Sequence, residues 1–560
     1  MTSRRILRPL LRGVAGASGV GVAGVAFGYC TDAGFRRLVD FNRYCVPIML
    51  HYKFVELRTR GLPDDEITAA MAPLHDMYAP RVLEIILTME GFYIKLGQIV
   101  STLVTSFPPI WINTLKVLQE DCPSQPFHVV KRIVEDELSA PVNQIFDSFS
   151  QTPLAAASIG QVHIARLHSG EEVVVKVQYP EAERNFNIDM DLFLRASRVL
   201  APQFQDALKS IQRNFANEFD YVREAALQRQ ACEHFKEVPR VVVPRPVDAK
   251  HPARPSSHMS GLCTKSLLVM DRLQGISLQK WSTQNVQRMA DKHGLSEQQM
   301  RAKLRSMSPA EIKARIPSRR ALAAYDAITR SRVAIANATV FAYNWTLGWV
   351  GAPLEYVEPS RIIDIYEAAD TILHAQAHSI FSAGFVNGDP HPGNIMLLKS
   401  GAVGLIDWGQ VAELGMAKRC KFARLLMAVA DRDELLAARY AREMGSRTEK
   451  DMDWSYAKKA FVLFGNLAEA DELGGIAVFE ERLNKIDKRT KLYDNMLGVV
   501  MNVTYTRQSV ALLGLPELNT AVTYRQAAEE CLRKAGEEVP QTVFGRCVSP
   551  RPDVKAILGI

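Results

Sequence analysis

No two cysteines in this chain stand in Cys-x-x-Cys spacing. The eight present, Cys30, Cys45, Cys122, Cys232, Cys263, Cys420, Cys531 and Cys547, are scattered through 560 residues. That excludes a zinc ribbon and a secreted disulfide framework, and the thiols are expected to be reduced and largely buried. A strong charge of one sign is missing too. The formal net charge is only +7, and the surplus sits in the first residues and one later stretch. Neither an aromatic stacking motif nor a groove-reading module accompanies it, so no nucleic-acid partner is expected. With 47% hydrophobic and 23% charged residues, the composition also excludes disorder as the dominant state.

Acidic residues are absent before Asp32, while Arg4, Arg5, Arg8 and Arg12 are present. An Arg-rich, acid-free start has the character of a mitochondrial transit peptide. The run Gly13 to Tyr29 is uncharged and 17 residues long, the short limit for a bilayer span, and its glycines weaken a helix. It is read as a membrane-inserted candidate. A secretory signal is disfavoured by the scattered cysteines, and no second uncharged run of that length is expected.

Periodicity divides the rest of the chain. Residues 32–150 read as helical, with apolar residues at three- and four-residue steps from Arg81 to Leu103 and a stop at Pro108-Pro109. A helix from Phe127 to Leu138 follows the capping candidate Ser124 and Pro126. Gln161–Leu167 and the valine-rich Glu172–Val177 flank a turn at His168-Ser169-Gly170, which predicts a hairpin. One helical stretch, Gln205 to Phe235, is expected next, then strands at Arg240–Val243 and Ser266–Met270. Residues 281–360 look like an insertion. Seven of the residues in 301–320 are Lys or Arg against the single acid Glu311, which fits a solvated face or a contact with anionic lipid. A helix from Glu367 to Ala383 ended by Gly384, strands at Ile395–Leu398 and Val403–Ile406, and a helical last 120 or so residues complete the pattern. The expected segments are a leader (1–31), a helical extension (32–150), an N-lobe (151–275), a C-lobe (276–440) and a C-terminal helical region (441–560).

Chemistry concentrates in Phe385 to Gln410. Asp389 is followed five residues later by Asn394 across a Pro- and Gly-rich turn, and Asp407 closes an apolar strand just before Trp408-Gly409. Phosphoryl transfer needs a carboxylate to orient the attacking group and oxygen ligands for Mg²⁺. Asp389 suits the first role, and Asn394 with Asp407 suits the second. Upstream, Lys176 lies among strand valines, where its stem can rest on the sheet while its ammonium reaches phosphate. Either Glu218 or Glu224 could hold it from the following helix.

Three departures from a protein kinase stand out. Ala155-Ala156-Ala157-Ser158 occupies the place of the glycine-rich phosphate loop, Asn387-Gly388 precedes Asp389 instead of His-Arg, and no Ala-Pro-Glu follows Asp407. Cβ atoms stiffen that loop relative to glycine. Lys95-Leu-Gly-Gln98 adds a further motif, with Lys95 and Gln98 on one helix face.

In this order and spacing, these motifs resemble the UbiB family of atypical kinase-like proteins over roughly residues 85–440. The resemblance implies an α+β, two-lobed, protein-kinase-like fold with an N-terminal helical extension over the active site and C-terminal helices. It implies that Lys95 and Gln98 enter the nucleotide pocket, that Lys95 meets Glu218 and Asp220, and that Glu224 pairs with Lys176. Ala155 to Ser158, Lys176 and Met270 are then expected to line the nucleotide site. The cofactors implied are ATP and Mg²⁺. The role implied is support of ubiquinone biosynthesis or mitochondrial lipid homeostasis, through ATPase activity or phosphoryl transfer to a small or lipid-like acceptor. The expected partners are the mitochondrial inner membrane or anionic lipid, quinone-biosynthesis proteins and a second copy of the chain as a homodimer. The rival expectation is a pseudokinase scaffold without turnover.

Overall fold

A computed structural model describes residues 27–102, 108–119, 124–157, 159–200, 205–307, 311, 314–346, 349, 351–357, 363–465, 482–493 and 496–549. Nearly all of the leader call on residues 13–29 and the calls on Cys122 and Ser158 lie outside them. Among the described residues no helix is long and apolar enough to cross a membrane. The fold is α+β, and the chain divides into two compact units. One holds residues up to Gly170, Val174–Tyr221 and Leu262–Leu268; the other holds Glu171–Val173, Val222–Gly261 and Val269 onward.

The first unit opens with α1 (Ala33–Arg58), α2 (Asp64–Met89), α3 (Phe92–Thr102) and α4 (Pro109–Leu115). The expected continuous helix from Arg81 to Leu103 is therefore two helices. Glu90 and Gly91 both take positive φ, 53° and 54°, and that left-handed step ends the first helix. The resulting bend lets α3 pack against α2 and α4 around Tyr93, Ile94 and Leu115, all at most 2% exposed. Gly97 allows this close approach, because a Cβ would stand 2.4 Å from Leu118 Cδ1 and that buried side chain would have to shift. A buried clamp adds to this packing. Arg37 on α1 makes two bonds to the fully buried Asp189, at 2.8 and 2.6 Å, and a third to the Met89 carbonyl at 3.1 Å. Burial raises the Asp189 pKa against the pull of Arg37.

Helix α5 (Phe127–Leu138) has the expected bounds, but Pro126 holds the N-cap position and no side chain caps it. Proline is tolerated there because the first amides of a helix have no partner within it. Strands β1 (Phe146–Phe149), β2 (Ala155–Ala156), β3 (Gly160–Leu167) and β4 (Glu172–Gln178) follow. In this unit β1, β3 and β4 are neighbours in that order, next to the start of the strand Leu267–Asp271, and β2 pairs with β3. The β3–β4 hairpin is as expected. A helix at Ala182–Leu200 (α6) was not expected. The predicted stretch 205–235 is broken in two, α7 (Gln205–Ala216) and α8 (Tyr221–Phe235), by a 3₁₀ turn at Asn217–Phe219 and extended Asp220.

The second unit takes α8 from Val222 onward, β5 (Val241–Val242), β6 (Leu267–Asp271) from Val269, and β7 (Gly275–Ser277). Helices α9 (Leu278–His293), α10 (Glu297–Arg305), α11 (Arg319–Thr346) and α12 (Ile365–Ala377) follow. The expected helix 367–383 finishes as a π-helical turn over His378–Ala383, and Gly384 caps it at φ 66°. Then come β8 (Phe385–Asn387), β9 (Ile395–Leu398), β10 (Val403–Leu405) and β11 (Val411–Glu413). The C-terminal part is helical as expected: α13 (Met416–Ala430), α14 (Glu434–Glu443), α15 (Asp453–Phe464), α16 (Leu497–Leu512) and α17 (Thr520–Lys534), with a two-stranded ladder between β12 (Arg447–Thr448) and β13 (Arg489–Lys491). One large apolar core runs from Ala231 to Leu532 and includes Trp408, Phe381, Phe422 and Tyr524.

Candidate active site

Two antiparallel pairings assemble the carboxylate half of the site in the second unit. In the β9–β10 hairpin Ile395 faces Leu405, and the Ile406 amide donates to the Asn394 carbonyl at 3.0 Å. The hairpin turn thus sets Asn394 beside the residue before Asp407. Strand β8 pairs with β11, with Asn387 opposite Val411, and the Gly388 amide donates to Gln410 at 2.7 Å. The residues just before Asp389 and just after Gly409 are thereby held together. Sequence separation of some twenty residues is closed by ordinary sheet registry.

Asn387 joins the two loops. Its Nδ2 donates to the Asp407 carbonyl at 2.7 Å, and its Oδ1 accepts from the Asp389 amide at 2.9 Å. Asp407 itself has φ 90°, a rare backbone state for a residue with a Cβ. The Asn387 bond pins that carbonyl. An uncommon residue in place of histidine is therefore used as a two-ended brace. Asn387 is in turn held by Asn502 on α16, which donates to the Asn387 carbonyl at 2.8 Å and to Gln376 at 2.7 Å. Tyr505, on the same helix, meets His391 edge-on at 5.5 Å. Nothing in the sequence pointed to Asn502 or Tyr505, because they lie about 110 residues downstream in an ordinary helical pattern.

Trp408, next to Asp407, is anchored in the core. It is 1% exposed, stacks on Phe385 at 5.8 Å, lies 5.6 Å from Phe235 and donates its indole N–H to Leu405 at 3.2 Å. A larger ring than phenylalanine fills this space and has its polar atom satisfied. Phe235 ends α8, and Glu224, 3% exposed, lies near that helix's start. Arg223 from the same turn donates to the Gly409 carbonyl at 3.2 Å. A Cβ on Gly409 would stand 3.5 Å from an Asp407 carboxylate oxygen and 3.6 Å from one of Glu224. Two carboxylates therefore converge on Gly409.

The donor set fits a hard cation. Asn394 Nδ2 donates to the Asp389 carbonyl at 3.2 Å, which leaves Oδ1 as the end of that amide able to ligate. With the Asp407 carboxylate it supplies the oxygen donors Mg²⁺ prefers. Among the described residues no cluster of three or more His, Cys, Asp or Glu could hold a metal. Mg²⁺ in phosphoryl-transfer sites needs only one or two protein carboxylates, with phosphates and water completing the shell.

The first unit carries the other predicted residues. Lys95 makes an ion pair with Glu218 at 3.2 Å, both side chains under one-fifth exposed, and lies 5.0 Å from the Phe215 ring. Gln98 Nε2 donates to the Leu118 carbonyl at 2.8 Å, tying α3 to the turn after α4. Lys176 extends from β4 with its ammonium 4.9 Å over the Tyr221 ring, on the strand face opposite the fully buried Val173, Val175 and Val177. Glu218 stands with Lys95. Ala155 and Ala156 pair with Val162 and Gln161, and the Ala157 amide donates to Gly160 at 2.8 Å. The alanine loop is thus a paired strand end closed by a tight turn. Gly160 is indispensable to it, since a Cβ would lie 2.3 Å from the Val177 carbonyl oxygen. In the second unit Met270 is buried, and its sulfur accepts from Gln228 at 3.2 Å.

Residues 117–312 and 337–441, more than half of the chain, match the ABC1 atypical kinase-like domain. An AarF domain-containing kinase 1 of Drosophila melanogaster is 25% identical over 389 residues, covering 68% of this chain and 58% of that protein. The AarF domain-containing protein kinase 1 of Gallus gallus is 23% identical, covering 79% of this chain and 70% of its own. An Arabidopsis thaliana relative, "Protein ACTIVITY OF BC1 COMPLEX KINASE 7, chloroplastic", is 36% identical over 173 residues, covering 29% of this chain and 24% of its own. This chain therefore spans just over half the length of the fly protein. The matched segments contain the alanine loop, Lys176, Glu224, Asp389, Asn394 and Asp407. The chain belongs to the ABC1, or UbiB, family of atypical kinase-like proteins.

Proposed function

We propose that the protein binds ATP with Mg²⁺ and either hydrolyses it slowly or passes the phosphoryl group to a small or lipid-like acceptor. The observation that carries this reading is the Asn387 brace, which links the Asp389 amide to the Asp407 carbonyl and fixes both carboxylate residues in one frame. Bound Mg²⁺ would supply charge neutralisation between the phosphates. Asp407 and Asn394 Oδ1 would hold it, and Asp389 would orient the attacking hydroxyl or water and accept its proton. Lys176 is assigned to the phosphates, with Glu224 as its partner. Lys95 with Glu218, and Gln98, are assigned to the family-specific lining of the nucleotide pocket.

Protein kinase activity is disfavoured by the alanine loop and by the lack of His-Arg and Ala-Pro-Glu. Support of ubiquinone biosynthesis or lipid homeostasis at the mitochondrial inner membrane draws on the family and on the basic leader. Quinone-biosynthesis proteins and a second copy of the chain are the partners this reading favours. The test is phosphate release with Mg²⁺ and anionic vesicles, comparing wild type with Asp407→Asn. Turnover that falls at least about a hundredfold in the variant supports an enzyme. Equal release from both means a scaffold without turnover.

A further inference from the structure

Helix α11 is 28 residues long and buries none of them. It is fixed near its start, where Arg319 pairs with Asp370 at 2.9 Å and lies 5.2 Å over the Tyr366 ring, and where Leu322 packs on the core. Beyond that, large apolar side chains face outward. Phe341 is 59% exposed, Trp345 78% and Trp349 83%, with Ile335 and Leu354 also exposed. The expectation that no second long uncharged run exists is corrected here. Val333 to Leu354 contains 22 residues without a charge. The family match is interrupted over 313–336, so the first 18 of the 28 residues of this helix lie outside the matched segments and its end lies inside them.

Polar groups in this run are turned onto the hairpin's own backbone. Asn344 donates to Leu354 and accepts from its amide, at 2.9 and 2.8 Å, and Asn337 does the same with Val357, at 2.9 and 2.7 Å. The chain after the helix is thereby strapped back along it. Thr339 and Thr346 bond to carbonyls four residues earlier, and the Trp349 indole N–H donates to Thr346. Water is not needed to satisfy these groups, a condition that a lipid environment imposes and an aqueous one does not.

We propose that the tip of this hairpin, Phe341, Trp345, Trp349 and Leu354, seats in the headgroup layer of an anionic membrane. Depth follows from the strap. Glu355 lies next to Leu354, which pairs at the level of Asn344, so on both arms only the short segment beyond that strap, Trp345 to Pro353, is free of charge. That length suits the interface, where tryptophan concentrates, and not a span. Charge selects the surface, since Arg320 and Arg332 are exposed on the same helix before the tip, and Lys303 and Arg315 are exposed in the stretch that leads into it. The proposal is independent of nucleotide chemistry.

Tryptophan fluorescence of the full chain tests it. The chain has six tryptophans, of which Trp408 and Trp454 are buried. With phosphatidylcholine vesicles containing phosphatidylglycerol, emission should shift to the blue. Bromine high in the acyl chain should quench it more than bromine deep in the chain. Trp345→Phe with Trp349→Phe should still bind but lose most of the quenching. Trp345→Ser with Trp349→Ser should bind about tenfold more weakly. Quenching that persists in the Phe pair, or unchanged binding in the Ser pair, overturns the proposal. So does a blue shift that depends on protein concentration without vesicles, which would make a second copy the occupant.

Discussion

At the scale of single residues, the site depends on amides as much as on carboxylates. Asn387 touches no substrate in this account; it is a positioning residue for Asp389 and Asp407. Asn387→Ala removes both bonds and should lower turnover about a hundredfold, the cost of a small misplacement of reacting groups, with Asn387→His restoring part of it. Steady-state kinetics that leave turnover within twofold of wild type in the Ala variant would remove Asn387 from the mechanism. His163 offers a pH test. Its Nδ1 meets the Ser150 carbonyl and its Nε2 meets the Gln161 amide nitrogen, each at 2.8 Å, with the residue fully buried. Gln161 Oε1 is already engaged by Tyr179 and the Gln125 amide, so Gln161 presents a donor and the ring must be neutral. Burial lowers the His163 pKa below 6.5. The unfolded chain then binds the extra proton first, so this contribution to stability is complete above about 6.5 and is lost as pH falls below it. Melting temperature should decline from pH 7 to 5, and His163→Gln should flatten part of that decline.

At the scale of elements, two contacts decide whether the helical extension keeps its shape. Arg37→Met leaves the Asp189 carboxylate buried without its cation, which should cost about 3–5 kcal/mol in denaturant unfolding. Arg37→Met with Asp189→Leu should recover most of it. Gly97→Ala forces a methyl onto the buried Leu118 and should cost about 1–3 kcal/mol. If it is neutral, the close approach of α3 is dispensable. The hairpin β3–β4 was legible because alternating valines and a Gly turn are local signals. The Glu90-Gly91 break was not, since nothing in the apolar period marks a left-handed step. Helix α6 was legible in principle, since Phe186, Met190, Phe193 and Leu194 recur at four- and three-residue steps and pack on one cluster. The tip at 341–354 was visible as an uncharged run, but the basic stretch before it drew the reading instead.

At the scale of the whole molecule, the spacing of Asp389, Asn394 and Asp407 singled out residues whose loops the sheet registry brings together. The supporting residues Asn502 and Tyr505 were out of reach, since long-range packing leaves no periodic trace. The most direct test of the account is the affinity of labelled ATP measured with and without Mg²⁺, for wild type, Asp407→Asn and Asp389→Asn. Mg²⁺ is expected to strengthen binding to wild type and to Asp389→Asn, in which turnover should be lost, and to have no effect on Asp407→Asn. An undiminished Mg²⁺ effect in Asp407→Asn would contradict the assignment of the metal site.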